Sequence, residues 1–347
     1  MVTTFALVGF GYRAAAFWRV AQGLSEVTCV GAVVRSPREL PLPGFASLDE
    51  CLAAAKPDFL VAAVPRAANP DAIRAAVARG VPIMAETPPA PDHPQLHALC
   101  RDAAARELVQ VAEQYLLMPS HAARLAAVRA GLIGTPTQVQ VSSTQQYHAV
   151  SLIRGFLGAG GEPATVRAGR TVAPLVDPQS RQGWTDDPEP KPATTTIATI
   201  DFGGGRSGLY DFTTNQSRNL LRFRRMVVRG THGELRDDEI VRLAGPRSIV
   251  RTPLVRRQTG HDLDLDGFDT QAITYGDRVL YRNPFPGSRW NDDEIATASL
   301  LTAMAAWVRG DGPAPYPLIE GARDQQIALA VEESADLDAT VIAGPLG

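Results

Sequence analysis

Three small residues near the start of the chain have the spacing of a phosphate-binding turn. Gly9, Gly11 and Ala14 form a G-x-G-x-x-A pattern after an apolar run and before a helical stretch. The first glycine permits a tight turn, the second lets the backbone approach a pyrophosphate, and Ala14 allows close helix–strand packing. The N-terminal end of the helix then attracts an anion. The pattern predicts a dinucleotide site formed by Gly9, Gly11, Tyr12, Arg13 and Ala14, with a purely structural turn as the alternative.

The residues that follow the second apolar run indicate which dinucleotide binds. An acid there would bind the ribose 2′-hydroxyl of NAD(H), but the chain has Arg35, Ser36 and Arg38. Both arginines can pair with a 2′-phosphate, and Ser36 can donate a hydrogen bond to it. We therefore expect NADP(H) to be preferred, with NAD(H) also possible. Simple solvation of arginines at a strand end is the alternative.

Apolar runs alternate with amphipathic stretches through about the first 115 residues. The runs have the character of buried strands and lie at 5–10, 27–34, 58–64, 81–86 and 108–115. Helical patterns separate them at 12–24, 47–54, 69–79 and 92–106. In the third helix we expect Asn69 to be the N-cap and Gly80 to lie just past the end. Continuous apolar strands between helices predict an α/β Rossmann domain with a doubly wound parallel sheet over 1–118.

Later in the chain, polar and apolar residues alternate, which is typical of half-exposed strands. Helices are predicted at 120–134, 149–158, 291–309 and 319–338, and strands at 137–146, 194–202, 207–214, 223–230 and 234–244. The Pro- and Asp-rich segment 174–192 is predicted to be a loop. These features predict an α+β domain over 119–347 with a large open antiparallel sheet. We expect it to bind a small-molecule substrate and to form oligomer contacts, with the terminal helix packing back on the first domain.

The composition argues against several classes of protein. The 347 residues include 34 Lys and Arg and 37 Asp and Glu, and the net charge of −3 argues against a nucleic-acid partner. There is no apolar run of about 18 residues that would predict a membrane-spanning helix. The first residues lack the charged region of a signal peptide, so we expect a cytoplasmic protein. Three cysteines without C-x-x-C spacing predict buried free thiols, and the histidines lack ligand spacing, so we expect no metal site.

Between residues 58 and 90, a strand ends in Val64-Pro65, a helix follows, and a segment from Gly80 to Pro88 ends in Glu86-Thr87-Pro88. This order resembles the Gfo/Idh/MocA oxidoreductase family, in which a strand ending in T-P and a helix precede A-G-K-H-V-x-x-E-K-P. Segments at 129–141, 147–158, 229–235 and 331–336 also resemble that family. The resemblance implies an oxidoreductase with Val64, Pro65, Glu86 and Thr87 near its cofactor. It also implies a homodimer or homotetramer built through the C-terminal sheet.

The chain departs from the family's pattern at residues that carry its chemistry. Thr87 stands where the family has a lysine that reaches the reacting hydroxyl or carbonyl, and Thr144 and Ser151 stand where it has aspartates. Of the family's Lys, Asp and His set, His148 alone matches. Because threonine neither carries a positive charge nor titrates near neutral pH, another group must move the proton if hydride is transferred.

His148 is the first candidate for that role, because an unperturbed pKa of about 6.5 suits a general acid or base. We expect the start of a helix to lower this pKa, because the dipole there disfavours the imidazolium. Tyr147 is adjacent in sequence, and Tyr115 ends a predicted strand. Either hydroxyl can donate to an alkoxide that develops during carbonyl reduction. The alternatives are a structural histidine and tyrosines that only pack in the core.

Other residues are candidates for contacts with a ligand. Gln114 and Tyr115 follow a strand whose carboxyl end should face the ligand crevice, and Thr144 lies just before His148. Trp184 can cover a sugar ring, or it can anchor a surface loop. Glu86 can contact the ribose or amide of the cofactor, with a purely structural carboxylate as the alternative.

These features favour an NADP(H)-dependent oxidoreductase. Its substrate would be a secondary alcohol, ketone or imine of a sugar-like or cyclitol-like molecule, and His148 would transfer the proton. Two other functions stay open because the lysine is missing. One is a dinucleotide-binding sensor or regulator without turnover, and the other is a lyase or glycosidase that uses a tightly bound NAD(P) transiently.

Overall fold

Six parallel strands form the first sheet of the computed structural model, which describes residues 2–36, 38–180, 182–262 and 264–346. They are β1 (Thr3–Val8), β2 (Val27–Val33), β3 (Gly44–Phe45), β4 (Phe59–Ala62), β5 (Ile83–Ala85) and β6 (Val109–Val111). The connecting helices are α1 (Tyr12–Ala21), α2 (Leu48–Ala55), α3 (Asn69–Ala78) and α4 (His93–Ala103). The strand order is β3-β2-β1-β4-β5-β6. The predicted doubly wound parallel sheet is confirmed, and β3 is a short edge strand that the sequence pattern did not predict.

Local signals set where the connecting helices begin and end. The side chains of Ser47 and Asp92 cap α2 and α4 by accepting hydrogen bonds from the backbone N–H groups of Glu50 (3.1 Å) and Gln95 (2.9 Å). Gly80, with a φ of 68°, follows α3 as predicted. These turns bring the carboxyl ends of β1, β4, β5 and β6 to the same edge of the sheet.

The rest of the chain forms a second sheet and further helices. The helices are α5 (Pro119–Arg129), α6 (Gln146–Leu157), α7 (Asp292–Val308) and α8 (Leu318–Leu337). The strands are β7 (Pro136–Ser142), β8 (Ala164–Leu175), β9 (Gln179–Ser180), β10 (Gly183–Trp184), β11 (Lys191–Asp201), β12 (Ser207–Thr213), β13 (Arg225–Gly230), β14 (Gly233–Arg236), β15 (Glu239–Gly245), β16 (Ser248–Thr259), β17 (Asp269–Tyr275), β18 (Arg278–Arg282) and β19 (Val341–Ala343).

Eleven of the described strands make one large sheet in the order β18-β17-β16-β15-β14-β13-β7-β12-β11-β8-β19. The predicted large antiparallel sheet is present. It also contains a parallel pair, β7 with β12, which the alternation pattern did not reveal. The chain between these two strands passes through α6, β8 and β11, and this long crossover lets β12 return alongside β7 in the same direction.

Two local predictions in this part need correction. The segment 234–244, predicted as one strand, is the hairpin of β14 and β15. Asp237 lies in its turn with a φ of 51°, and its side chain accepts a hydrogen bond from the N–H of Met226 at 2.8 Å. The predicted loop 174–192 contains the two-residue strands β9 and β10, and it overlaps the ends of β8 and β11.

The last two helices contact the first sheet. Met304 of α7 is fully buried in the same core as Phe17 of α1. Ala322 of α8 shares a core with Val111 of β6 and Tyr147 of α6. Helix α8 therefore lies at the seam between the two sheets, next to the carboxyl end of β6.

The three cysteines, Cys29, Cys51 and Cys100, are buried and free, as predicted. Burial raises the pKa of each thiol to about 11, so the thiols are protonated at neutral pH. Among the described residues, no group of three or more His, Cys, Asp or Glu side chains could hold a metal ion. Within the described ranges, no helix combines the length and apolar character needed to cross a membrane.

Candidate active site

The glycine turn has the backbone geometry that its sequence pattern predicts. Gly9 has a φ of 87°, in the left-handed region that favours glycine. A Cβ atom here would lie 2.8 Å from the carbonyl oxygen of Ala63 and 3.2 Å from Cγ1 of Val64. The turn therefore packs against the Val64-Pro65 segment that follows β4, and any side chain at Gly9 would separate the two.

Helix α1 starts directly from this turn. Its N-cap is Gly11, which provides no side-chain hydrogen bond. Ala14 is fully buried, which allows close packing on the strands, whereas Tyr12 is 76% exposed. A helix that begins at a glycine turn without a side-chain cap has the geometry that accepts a phosphate group.

The arginines after β2 lie near the same turn. Nη2 of Arg38 donates a hydrogen bond of 2.5 Å to the carbonyl oxygen of Phe10, and its guanidinium lies 5.8 Å from the centroid of the Phe10 ring. Arg35 and Ser36 are exposed, and Arg35 and Arg38 line a cavity of about 490 Å³. Pro37 lies outside the described residues. The predicted phosphate-binding residues on either side of it are thus solvent-accessible, and Arg38 contacts the glycine turn.

The side chain of Asn69 holds the segment that follows β5. Its Nδ2 donates hydrogen bonds to the carbonyl oxygens of Glu86 (2.6 Å) and Pro88 (3.1 Å). The peptide bond between Thr87 and Pro88 is cis, and the N–H of Thr87 donates to Oε2 of Glu86 at 3.1 Å. The prediction that Asn69 caps α3 is wrong. Ala68 is the N-cap, and the amide of Asn69 is used to hold this turn.

Arg13 joins the glycine turn to the segment after β5 and to α7. Its Nε donates to Oε1 of Glu86 at 2.6 Å, and its Nη1 donates to Oδ2 of Asp293 at 2.7 Å. Nε2 of Gln114 donates to Oδ1 of the same aspartate at 3.1 Å. The Nη2 atom of Arg13 is buried and has no hydrogen-bond partner among the described residues. The hydrogen-bonding capacity of this atom is therefore not used by the described residues.

His148 lies in the first turn of α6, as predicted, and pairs with a buried carboxylate. Its Nδ1 lies 2.7 Å from Oε2 of Glu113, a side chain with no exposed surface. Burial lowers the pKa of His148, but the charge and hydrogen bond of Glu113 outweigh it and raise this pKa above its ordinary value. The predicted lowering by the helix dipole is wrong because a carboxylate at the end of β6 has the larger effect.

Two aromatic rings contact the imidazole of His148. Tyr115 stacks on it with centroids 4.2 Å apart, and Tyr147 meets it edge-on at 5.4 Å. Burial raises the pKa of Tyr115, and the nearby side chain of Thr144 opposes this effect. The hydroxyl of Tyr147 is buried, has no hydrogen-bond partner among the described residues, and has a pKa raised well above its ordinary value by burial. The rings therefore hold the imidazole in one orientation.

A cavity of about 360 Å³ lies where the two sheets meet. Thr87 and Pro88 line it from the first sheet, Tyr147 and His148 from α6, and Tyr210 from the second sheet. Many other lining residues have neutral hydrogen-bonding side chains, namely Gln145, Thr194, Thr196, Thr214, Asn215 and Gln325. Two charged residues, Arg66 and Glu332, also line the cavity. The neutral hydrogen-bonding groups suit a small molecule that carries several hydroxyl groups.

Several residues predicted to contact a substrate lie elsewhere. The described residues that line the cavity do not include Gln114, Tyr115 or Thr144. Tyr115 instead stacks on the ring of His148, and Thr144 is buried between β7 and α6. Trp184 also lies outside this lining and is 67% exposed.

Glu113 is the residue that sequence reasoning missed. A signal was available, because Glu113 is a carboxylate that follows the apolar strand β6 at the edge where ligand-binding groups collect. Its partner in the structure is 35 residues away in the chain, so the sequence alone did not indicate the pair.

Several solved structures share this fold, although no protein-family model matches the chain and no curated protein sequence matches it significantly. An oxidoreductase from Agrobacterium radiobacter, in complex with NAD+, L-tartaric acid and magnesium, has a TM-score of 0.71 at 16% identity, covering 99% of each chain. A myo-inositol dehydrogenase from Corynebacterium glutamicum has a TM-score of 0.66 at 18% identity, covering 99% of this chain and 100% of that one. A levoglucosan dehydrogenase, in complex with NADH and levoglucosan, has a TM-score of 0.69 at 17% identity, with the same coverage. The chain therefore has the two-sheet fold of these dehydrogenases over almost its whole length.

Proposed function

We propose that the chain is an oxidoreductase of the Gfo/Idh/MocA type. It transfers hydride between a nicotinamide dinucleotide and a carbon atom of a secondary alcohol, ketone or imine. The observation that carries the proposal is the placement of a paired histidine, His148, on the wall of a polar cavity that also receives Thr87 from the segment after β5. The fold shared with an inositol dehydrogenase and a levoglucosan dehydrogenase supports it.

The cofactor would be held along the carboxyl edge of the first sheet. Its pyrophosphate would bind at the turn of Gly9 and Gly11, and Val64, Pro65 and Glu86 would border its ribose and nicotinamide. The left-handed Gly9, the uncapped start of α1 and the unpartnered Nη2 of Arg13 fit such a group. When bound, the nicotinamide supplies or accepts the hydride.

The preferred dinucleotide is proposed to be NADP(H). Arg35 and Arg38 line one cavity at the end of β2, where two guanidinium groups can pair with a 2′-phosphate. Glu39 and Glu50 line the same cavity. Oε2 of Glu50 accepts a hydrogen bond from the backbone N–H of Ala46 at 2.9 Å.

The substrate is proposed to be a small, sugar-like or cyclitol-like molecule. Thr194, Thr196 and Asn215 can donate and accept hydrogen bonds from the second sheet and the turn after it, and Gln325 can do so from α8. These neutral hydrogen-bonding groups suit a molecule with several hydroxyl groups, and the charged lining residues Arg66 and Glu332 have opposite signs.

His148 is proposed to transfer the proton, since Thr87 cannot. With Nδ1 hydrogen-bonded to Glu113, Nε2 is the ring nitrogen left for a substrate in the cavity. A protonated imidazole gives its Nε2 proton to the oxygen of a carbonyl substrate, and a neutral one accepts the proton of an alcohol. A histidine with a dedicated carboxylate, on the wall of a cavity, favours turnover over ligand sensing alone.

The test uses the purified chain with NADPH or NADH and a panel of keto sugars, inosose-type ketones and their alcohols. Thermal stabilisation reports cofactor binding, and the absorbance of the reduced nicotinamide reports turnover. We expect turnover with at least one substrate and a loss of roughly 10²–10⁴-fold in kcat for His148→Ala. His261→Ala, at an exposed histidine, is the matched control.

Different results would distinguish the other functions. A chain that binds a dinucleotide but turns over no member of the panel would favour a sensor. Product formation without net change in the reduced nicotinamide would favour a lyase or glycosidase. No binding of either dinucleotide would refute the proposal.

A further inference from the structure

The carboxylate of Glu113 is anchored at both oxygens. Oε2 meets Nδ1 of His148 at 2.7 Å, and Oε1 accepts a hydrogen bond from the backbone N–H of Tyr115 at 3.0 Å. The side chain is completely buried, whereas that of His148 is 18% exposed. A fully buried carboxylate is costly unless its charge is paired and its oxygens are hydrogen-bonded. Here one partner is backbone and the other is the imidazole.

The remaining freedom of the imidazole is small. The ring of Tyr115 covers one face, and Tyr147 contacts it edge-on. Rotation of the ring would break the bond to Glu113 and would bury its carboxylate without a cation. Since His148 also lines the cavity, the position that remains for a reacting group is Nε2.

We infer that Glu113 is a positioning residue for His148. Glu113 fixes the Nδ1–H tautomer of the imidazole and so presents Nε2 to the substrate cavity. The inference rests on the proposed function for its chemical meaning. The effect of the carboxylate on the tautomer and the proton affinity of His148 can be measured without any substrate.

The proton balance follows from this arrangement. In carbonyl reduction, the hydride that the reduced nicotinamide supplies adds to the substrate carbon with its electron pair. The carbonyl oxygen takes the proton from Nε2, and the C–O π bond breaks. His148 becomes neutral and keeps its Nδ1 proton, which stays hydrogen-bonded to Glu113. Alcohol oxidation is the reverse.

Several charged or titratable groups face His148 and together determine its proton affinity. Glu113, from the end of β6, and Glu86, from the end of β5, favour the imidazolium. Arg13, from α1, opposes it, as does burial of the ring. Glu113 makes direct contact, so its removal should leave the opposing effects dominant.

The experiment is a pH titration of the full chain labelled with ¹⁵N-histidine, followed by the ¹⁵N shifts of each ring. His148→Asn identifies the signal of His148 by its loss. In the wild type we expect a neutral form protonated on Nδ1 and a midpoint above the ordinary value of about 6.5. In Glu113→Gln the midpoint should fall by roughly 1–3 units, because the opposite charge is gone. Glu113→Asp, which keeps the charge at a greater distance, should give a smaller fall.

Glu333→Gln is the matched control. It removes a carboxylate that lies 3.7 Å from another histidine, His93, and should leave the His148 signal unchanged. A midpoint and tautomer of His148 that are the same in wild type, Glu113→Gln and Glu113→Asp would overturn the inference. If Glu113→Gln does not fold, an unchanged midpoint in Glu113→Asp suffices to overturn it.

A second readout links the pair to turnover. In Glu113→Gln, the pH midpoint of the kcat/KM profile should fall together with the midpoint measured by NMR. In Glu113→Asp, both midpoints should fall less. The two proposals fail in different ways. If the chain binds no dinucleotide, the proposed function is refuted but the titration result still holds. If the enzyme is active and the midpoint of His148 does not respond to the Glu113 variants, only the role of Glu113 is refuted.

Discussion

Nε of Arg13 lies 2.6 Å from Oε1 of Glu86, so an ion pair bridges the helix after the glycine turn and the segment after β5. The same guanidinium reaches Asp293 at the start of α7. Burial alone would lower the pKa of Arg13, but the two carboxylates raise it, so the group stays charged at neutral pH. In the proposed mode of binding, a dinucleotide would pass this bridge between the glycine turn and the cavity.

Replacing Arg13 with Gln should weaken the binding of NADPH and NADH alike. The variant removes a donor near the pyrophosphate and nicotinamide, which both cofactors share, and leaves Glu86 without its cation. We expect dissociation constants to rise roughly tenfold or more, measured by isothermal titration calorimetry. Arg19→Gln, at an exposed position of the same helix, should have little effect. A loss confined to NADPH would contradict this placement of Arg13.

Replacing Arg35 with Ala should discriminate between the two cofactors. A phosphate contact of an arginine contributes about 1.5–3 kcal/mol, so the dissociation constant for NADPH should rise at least roughly tenfold while that for NADH stays the same. Arg35→Lys keeps the charge without the forked geometry and should fall between wild type and Ala. Equal losses for both cofactors would show that Arg35 does not contact a 2′-phosphate.

Replacing Asn69 with Ala should destabilise the chain. The carbonyl oxygens of Glu86 and Pro88 would lose the donor that each uses at present, at a cost of about 1–3 kcal/mol in the free energy of unfolding. Urea unfolding followed by circular dichroism measures this difference. Arg224→Ala, at an exposed position outside the helices and strands, should change it by less than about 0.5 kcal/mol. Equal stability of the Asn69 variant and wild type would mean that water replaces the amide.

Acid should destabilise the fold partly through His121. Burial, with a smaller effect of Arg124, lowers the pKa of His121 to about 3. Between that value and the ordinary one of about 6.5, the unfolded chain binds a proton that the folded chain does not, so stability falls as pH falls. This residue can contribute at most about 1.4 kcal/mol per pH unit.

Urea unfolding at pH 7 and pH 5 tests this contribution. His121→Gln cannot take up the proton, so its stability should depend less on pH than that of the wild type. His261→Gln, at an exposed histidine, should behave like the wild type. If His121→Gln loses stability between pH 7 and pH 5 as steeply as the wild type, another group causes the acid sensitivity.

Features set by neighbours in the chain could be predicted from the sequence. The G-x-G-x-x-A spacing, the strand before it and the helix after it depend on local residue types, and Gly9 adopts the expected left-handed conformation. The position of His148 in the first turn of a helix is local for the same reason. The split of 234–244 into two strands was not predicted, because the residues on either side of Asp237 and Asp238 fit one strand as well as two.

Features set by packing could not be predicted. Glu113 reaches His148 because the segment after β6, which includes Tyr115, packs against α6, and this contact reverses the direction of the expected pKa shift. Asn69 has the residue type of a helix cap, yet its amide is used by a turn that lies 17 and 19 residues further along the chain. Polar side chains with long-range partners of this kind carry no periodic signal in the sequence.

Along β11, Thr194 and Thr196 line the cavity, while Thr195 between them meets the hydroxyl of Thr213 at 2.8 Å. Successive side chains of a strand point to opposite faces, so alternate positions can be exchanged without disturbing the contacts of the other face. Related chains could therefore bind different substrates by substituting every second residue of β11, on the face that lines the cavity. The residues around Gly9, Arg13 and Glu86, which are proposed to bind the cofactor, would not need to change.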